Sequence, residues 1–153
     1  MSKDKTMDNT DYNIINILQK DGRSTIKEIG QQVSLTSPAV AERIRRLESA
    51  GIIKGYTAEI DIMKLGKGIS AYINVDVYPK KYELFCKFCE NTEAIMEHHH
   101  IVGVHNSLLK IFVDDSEALE ALLGQIKIYG TSQTSVLLKS YFTKKEIIGK
   151  KEK

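Results

Sequence analysis

The stretch Ser37-Pro38-Ala39-Val40-Ala41-Glu42-Arg43-Ile44-Arg45-Arg46-Leu47-Glu48-Ser49-Ala50-Gly51 decides the fold of the first third of this chain. A Ser cap ahead of a Pro starts a helix, because the prolyl ring presets the helical φ and its missing N–H would have had no intrahelical partner. Gly51 ends it, since glycine takes the left-handed conformation that closes a helix. At about 100° per residue, Val40, Ile44 and Leu47 fall on one stripe, which belongs in a core. Ala39, Glu42, Arg43 and Arg46 lie on the other side and are expected to face outward. An outward face with two arginines and a small residue near its start suits a helix that reads a DNA groove. Arginine holds guanine or phosphate by two bonds, and a small side chain permits close approach. Thr36, Ser37 and the free N–H groups of the first turn suit a phosphate oxygen. Arg45 points sideways, fitted equally to a local carboxylate and to DNA; Glu42 can accept from a cytosine amine or orient Arg46 one turn later.

A solvated charged helix would carry the same charges, so the neighbours matter. Upstream, Thr25 stands three residues before Glu28, the spacing of a capping box, and Ile26, Ile29 and Val33 share a face. Before that, Ile14, Ile15, Ile17 and Leu18 recur at helical spacing, with Asp8 or Thr10 to cap the start and Asp21-Gly22 to stop it. Three short helices, the second and third joined by a tight turn, make a helix-turn-helix whose third member enters the major groove. Its expected core joins Ile14, Leu18, Ile29 and Val33 to the stripe of the third helix.

Downstream, Ile52 to Ile60 alternates enough to predict a strand, and Gly66-Lys67-Gly68 marks a boundary. Beyond it the period becomes two, with Ile69, Ala71, Ile73, Val75 and Val77 on one face and Ser70, Tyr72, Asn74 and Asp76 on the other. Pro79 ends that strand, and a helix follows from about Lys81 to Glu90. Strands are expected at Ala94 to Val102 and Ser107 to Val113, then a helix opening at Ser116 with Leu119, Leu122, Leu123 and Ile126 on one face. Thr134 to Phe142 would be the final strand. The order βαββαβ predicts a ferredoxin-like split motif, a four-stranded antiparallel sheet with both helices on one face. The fold class is therefore α+β: an N-terminal, winged-helix-like helix-turn-helix over 7–55, a strand and linker over 56–68, a ferredoxin-like domain over 69–143 and a basic tail over 144–153. The bare sheet face would expose Tyr72, Met96 or Val102, and Tyr141 or Phe142, and such a face marks association, with a twofold dimer as the default.

Composition sets the limits. With 153 residues, 42% hydrophobic and 27% charged, the chain buries a real core in one ordinary domain or two small ones. No apolar run reaches the roughly 20 residues of a membrane helix, and the polar start lacks the apolar centre of a secretory signal, which points to a cytoplasmic protein. Cys86 and Cys89 have no second pair to complete a zinc knuckle and read as reduced core or boundary thiols, with a redox pair as the lesser alternative. The net charge of +2 is too small to argue for nucleic acid alone. The grouping of Arg43, Arg45, Arg46 and Lys54 matters more, while Lys144, Lys145, Lys150, Lys151 and Lys153 crowd a tail expected to be solvated.

The chain resembles the Lrp/AsnC, or feast/famine, regulators over nearly its whole length. The resemblance rests on Asp11-Tyr12-Asn13-Ile14-Ile15-Asn16-Ile17-Leu18-Gln19-Lys20-Asp21-Gly22-Arg23, on Ile29-Gly30, and above all on Arg43-Ile44-Arg45-Arg46-Leu47-Glu48 followed by Gly51-Ile52-Ile53. It implies a winged or plain helix-turn-helix that binds double-stranded DNA and a C-terminal domain that senses an amino acid. It also implies dimers assembling into octamers or larger, with the effector held between dimers. Where that family often has Gly-x-x-Asp-Tyr between the middle strands, this chain has Gly103-Val104-His105-Asn106-Ser107. Asn106 contributes no full charge to an α-ammonium group, which weakens, alters or removes amino-acid binding there. Gly103, Val104 and Asn106, with Thr134 and Ser135 on the last strand, are the candidate effector contacts; no cofactor other than such an amino acid is implied.

His98-His99-His100 with His105 invites a metal reading. On a strand His98 and His100 share a face and His99 faces away, so at most two could join His105, and no fourth ligand is evident beside Glu97. Polar strand residues at an oligomer interface are the plainer reading, so no metal is expected. A sequence-specific, nucleoid-associated transcription regulator is the expected function, with an effector-independent DNA-wrapping protein as the alternative. An enzyme is not expected, because no nucleophile with its base, and no complete ligand set, can be read.

Overall fold

The structure, a computed structural model, describes residues 7–143 and 145, and these form two compact units that part between Glu59 and Ile60. In the first, α1 (Asn9–Lys20), α2 (Ile26–Val33) and α3 (Ser37–Ser49) pack around Ile14, Ile15, Ile29, Val40 and Leu47. Each helix starts and stops for a local reason. Asp8 caps α1 and Thr25 caps α2, both in reciprocal capping boxes, with Asp11 and Glu28 returning the bond. Ser34 takes a left-handed φ of 55° to end α2, and Leu35 N–H bonds back to the Gly30 carbonyl. Gly30 must lack a side chain, because a Cβ there would meet the Leu35 carbonyl oxygen at 2.6 Å. Gly51, at φ 68°, closes α3 with its N–H on the Glu48 carbonyl and the Ile52 N–H on that of Leu47, a Schellman pair.

Two expectations shift here. The helix α3 begins at Ser37 rather than Pro38, with Thr36 as its cap, because the Thr36 carbonyl already accepts the first helical bond from Val40 N–H at 3.0 Å. The strand expected over Ile52 to Ile60 does not form: that segment is irregular and pairs with no strand among the described residues. Alternation alone makes no strand without a neighbour to satisfy its backbone groups.

The second unit runs β1 (Ile69–Val77), α4 (Tyr82–Asn91), β2 (Ile95–His100), β3 (Ser107–Val113), α5 (Ser116–Ile126) and β4 (Gly130–Val136). The four strands are antiparallel in the order β2-β3-β1-β4, the ferredoxin-like arrangement. One sheet face, carrying Ala71, Ile73, Val75, Val77, Leu109, Ile111 and Val113, packs on Phe85 and Cys89 of α4 and on Leu122 and Ile126 of α5. Among the described residues of this unit, no helix packs on the other face. β4 lies upstream of where it was expected: it is Gly130–Val136, not Thr134 to Phe142. Its register against β1 sets this, pairing Val77 with Gly130 and Ala71 with Val136. Only glycine fits at its start, since a Cβ on Gly130 would lie 2.1 Å from the Asp76 carbonyl oxygen.

Candidate DNA interface and ligand-binding end

The exposed side of α3 is narrower than its sequence suggests. Pro38, Glu42, Arg45 and Ser49 are exposed, one turn apart in succession, and Thr36 and Ser37 are exposed at its start. Ala39 is half-buried, and the Thr36 side chain makes no capping bond. The arginines divide. Arg45 has 73% of its side-chain surface exposed, against 26% for Arg43 and 32% for Arg46.

The difference comes from α1. Asp11 is fully buried, on the stripe of Ile14 and Ile15, and its carboxylate is divided between two cations of α3. Arg43 Nη1 donates to Asp11 Oδ1 at 2.7 Å and Arg46 Nη2 to Oδ2 at 2.5 Å. Oδ2 also accepts the Asp8 N–H at 3.1 Å, completing the capping box. Asp8 takes Arg43 Nη1 on both oxygens, at 2.9 and 2.8 Å. Burial pushes the Asp8 carboxyl up, but the Asp11 N–H and the Arg43 guanidinium together hold it below the usual carboxylate value. Asp11 and Asp8 in turn hold Arg43 above the usual value for a guanidinium. Arg43 and Arg46, expected in the groove, are thus turned against the start of α1. Arg45, expected sideways, faces solvent, and its local partner is Glu42, which was expected to orient Arg46. On the far side of α3, Tyr56 O–H donates to Glu48 at 2.9 Å.

In the second unit the candidate effector residues fall into two places. Asn106 is consumed by the fold: its Oδ1 accepts Val77 N–H at 3.0 Å and its Nδ2 donates to the Val77 carbonyl at 2.9 Å. Gly103 and Val104 are exposed in the same loop. Thr134 and Ser135 pair instead with Ile73 and Tyr72, four and five residues back along β1, or about 13 to 17 Å at the rise of a strand. One amino acid cannot touch Asn106 and Ser135 of one chain. A cavity of about 530 Å³, unforeseen from sequence, opens at the Val77 end between Tyr78, Leu123, Lys127 and Thr131.

The histidines separate as strand geometry requires. His98 and His100 lie opposite Leu109 and Ser107 on the helix side, where His98 meets Phe85 edge-on at 5.3 Å and His100 meets Tyr82 at 5.2 Å. His99 stands on the bare face beside Glu97, which also accepts from Lys110 at 2.9 Å. Burial, with His99 and His100 nearby, holds His98 below the usual imidazole value. Among the described residues no three His, Cys, Asp or Glu side chains are placed to hold a metal ion. The basic tail, apart from Lys145, lies outside the described residues.

Three short helices with an exposed third helix, followed by a four-stranded sheet backed by two helices, define a helix-turn-helix protein with a separate α/β domain. Comparison with known proteins carries this further. A family described as winged helix-turn-helix DNA-binding matches residues 7–54, and the Lrp/AsnC ligand binding domain matches residues 70–147. The chain belongs to the Lrp/AsnC family of transcription regulators. It is 36% identical over 138 residues to the transcriptional regulator LrpC of Bacillus subtilis, covering 90% of this chain and 96% of that one. It is 35% identical over 135 residues to the leucine-responsive regulatory protein of Escherichia coli K12, covering 85% and 82%. The solved structure of B. subtilis LrpC superposes with a TM-score of 0.85 over 90% of this chain and 99% of that one. That of the Neisseria meningitidis regulator NMB0573 in complex with L-methionine, 25% identical, superposes with 0.86 over 94% and 97%.

Proposed function

We propose that this regulator reads DNA as a homodimer or higher oligomer through Thr36, Ser37, Ala39, Glu42 and Arg45, with Arg43 and Arg46 supporting α3 from behind. The exposure of Arg45 carries the reading: at 73% it is the arginine of α3 that a groove edge can reach without breaking a buried pair. Glu42 pairs with it in the free protein and turns to a cytosine amine or stays on the guanidinium when DNA is present. Arg45→Ala is expected to weaken binding to a preferred duplex by about 1–3 kcal/mol and to relax preference at one position. Competition gel shifts on duplexes selected by the wild-type protein measure both; unchanged affinity and preference remove Arg45 from the interface.

The ligand-binding half supports a response to an amino acid. NMB0573 was solved with L-methionine, and its likeness to this chain covers the sheet domain. Because Asn106 and Ser135 are far apart within one chain, a shared ligand would take Gly103 and Val104 from one copy and Thr134 or Ser135 from another. The second reading, an architectural protein that ignores amino acids, is favoured by the Asn106 amide, which spends one acceptor and one donor on Val77 and brings no charge to an α-ammonium group. Gel shifts repeated across the twenty amino acids, with assembly followed by light scattering, separate the two. A shift in affinity or size with one amino acid supports sensing; unaltered binding across the panel supports the architectural reading.

A further inference from the structure

The helix-turn-helix segment is close to electrically balanced. Between residues 7 and 55, seven lysines and arginines stand against six aspartates and glutamates. Affinity for a polyanion then depends on how each cation is held: two of the three arginines on α3 are tied to a buried carboxylate, and Arg45 pairs only with the exposed Glu42. Asp11 lies on the core-facing stripe of α1, where an apolar side chain would be expected, and it is fully buried. A lone buried carboxylate is unfavourable, so Arg43 and Arg46 are its required partners, held at 2.7 and 2.5 Å. The arrangement fixes two directions at once: both guanidinium groups point toward the start of α1, and Arg45 is left on the open side.

We propose that Asp11 is a positioning residue for DNA discrimination: it keeps the charges of Arg43 and Arg46 off the phosphates, so that Arg45 and the exposed start of α3 dominate the choice of sequence. The inference rests on the DNA-reading face proposed above. Asp11 touches no DNA in this arrangement. Its effect is to withhold two cations that would otherwise bind any duplex alike, since phosphate contacts carry no sequence information directly. Asp8 closes the same clamp from its exposed side, on Arg43 alone.

The test uses the full chain carrying Asp11→Asn, which preserves the shape of the side chain and removes its charge. Binding is measured from low to moderate salt on a duplex selected by the wild-type protein and on a scrambled duplex of equal composition. Each freed arginine that reaches a phosphate steepens the dependence of log affinity on log salt by about 0.9. The variant is expected to steepen the slope by about one to two per bound protomer and to lose about tenfold in preference for the selected duplex, the scale of one bidentate base contact. Should Asp11→Asn not fold, Asp8→Asn keeps the helix cap, because asparagine caps as well as aspartate, and removes the exposed one of the two carboxylates that share Arg43 Nη1, loosening its hold. Its slope should steepen by up to about one, and adding Arg43→Gln should restore the wild-type slope. A residue that merely stabilised the helices would lower affinity for both duplexes at unchanged slope, and that result overturns the inference. An unchanged slope also results if DNA already opens the clamp in the wild-type protein, which equally overturns it. Failure of the wild-type protein to prefer any duplex would instead sink the DNA-reading face.

Discussion

Single residues in this molecule are decided by their burial and partners more than by their type. Asp11 illustrates it: Asp11, Ile14, Ile15 and Leu18 recur at helical spacing, so a carboxylate sits on an apolar stripe, and that position was the sequence signal that a cation must come to meet it. Which cation could not be read, because Arg43 and Arg46 lie more than thirty residues away and only the packing of α3 on α1 brings them close. Asp11→Ala leaves the partly buried Arg46 guanidinium without its carboxylate and Arg43 with the exposed Asp8 alone. Because those groups keep a quarter to a third of their surface, the expected loss in urea unfolding is the lower end of the range of about 3–5 kcal/mol for a broken buried pair. Cys89 is a second case. Burial first, then the neighbouring Cys86, pushes its thiol up to about 12, so at neutral pH it carries almost no thiolate. An alkylating reagent near pH 8 should label Cys86 in the folded protein and Cys89 only after unfolding, as mass spectrometry of the peptides would read. Equal labelling of both in the native state would contradict the burial of α4 against the sheet.

At the scale of elements, what was legible and what was not follows from where the backbone finds its partners. The helices of the first unit announced themselves, because a capping box, a Ser-Pro start and a closing glycine are local devices that act before any packing. β1 and β3 were legible for a related reason, since one face of each is buried and the side chains alternate accordingly. β4 was not. Its sequence, Gly130-Thr131-Ser132-Gln133-Thr134-Ser135-Val136, is polar because it is an edge strand exposed along most of its length, and the apolar residues after it drew the expectation downstream. The segment Ile52 to Ile60 misled in the opposite sense, with alternation and no partner. Likewise, Asn106 was read as a candidate ligand contact from the family resemblance of its loop, and its two bonds to Val77, which tie that loop to the end of β1, could not be read from sequence. Asn106→Ala would leave the Val77 N–H and carbonyl to find new partners, at about 1–3 kcal/mol. Hydrogen exchange should rise locally at Val77 and across residues 101–106; unaltered exchange there would mean the amide is not what holds the loop.

For the whole molecule, the open face of the sheet is the surface on which copies are proposed to meet. It presents Tyr72 and Asn74 of β1, Leu108, Lys110 and Phe112 of β3, and Glu97 and His99 of β2, a mixture of apolar surface and one ion-pair group. The burial pattern of β3, alternating between buried and half-buried, is that of a strand with one face on the core and one awaiting cover. A second copy is the cover proposed here, since a twofold places the same patch on both sides and sets two copies of α3 to meet the two half-sites of a palindrome. Tyr72→Glu tests this without threatening the single chain, because Tyr72 pairs across the ladder with Lys110 and a carboxylate there meets a cation. In a face-to-face dimer the same substitution buries like charges near the axis. The variant should keep its thermal transition when dilute, sediment as a monomer where the wild-type protein is a dimer or larger, and lose affinity for a palindromic duplex more than for a single half-site. A variant that still sediments with the wild-type protein would place the interface elsewhere and leave the apolar residues of this face without a structural reason.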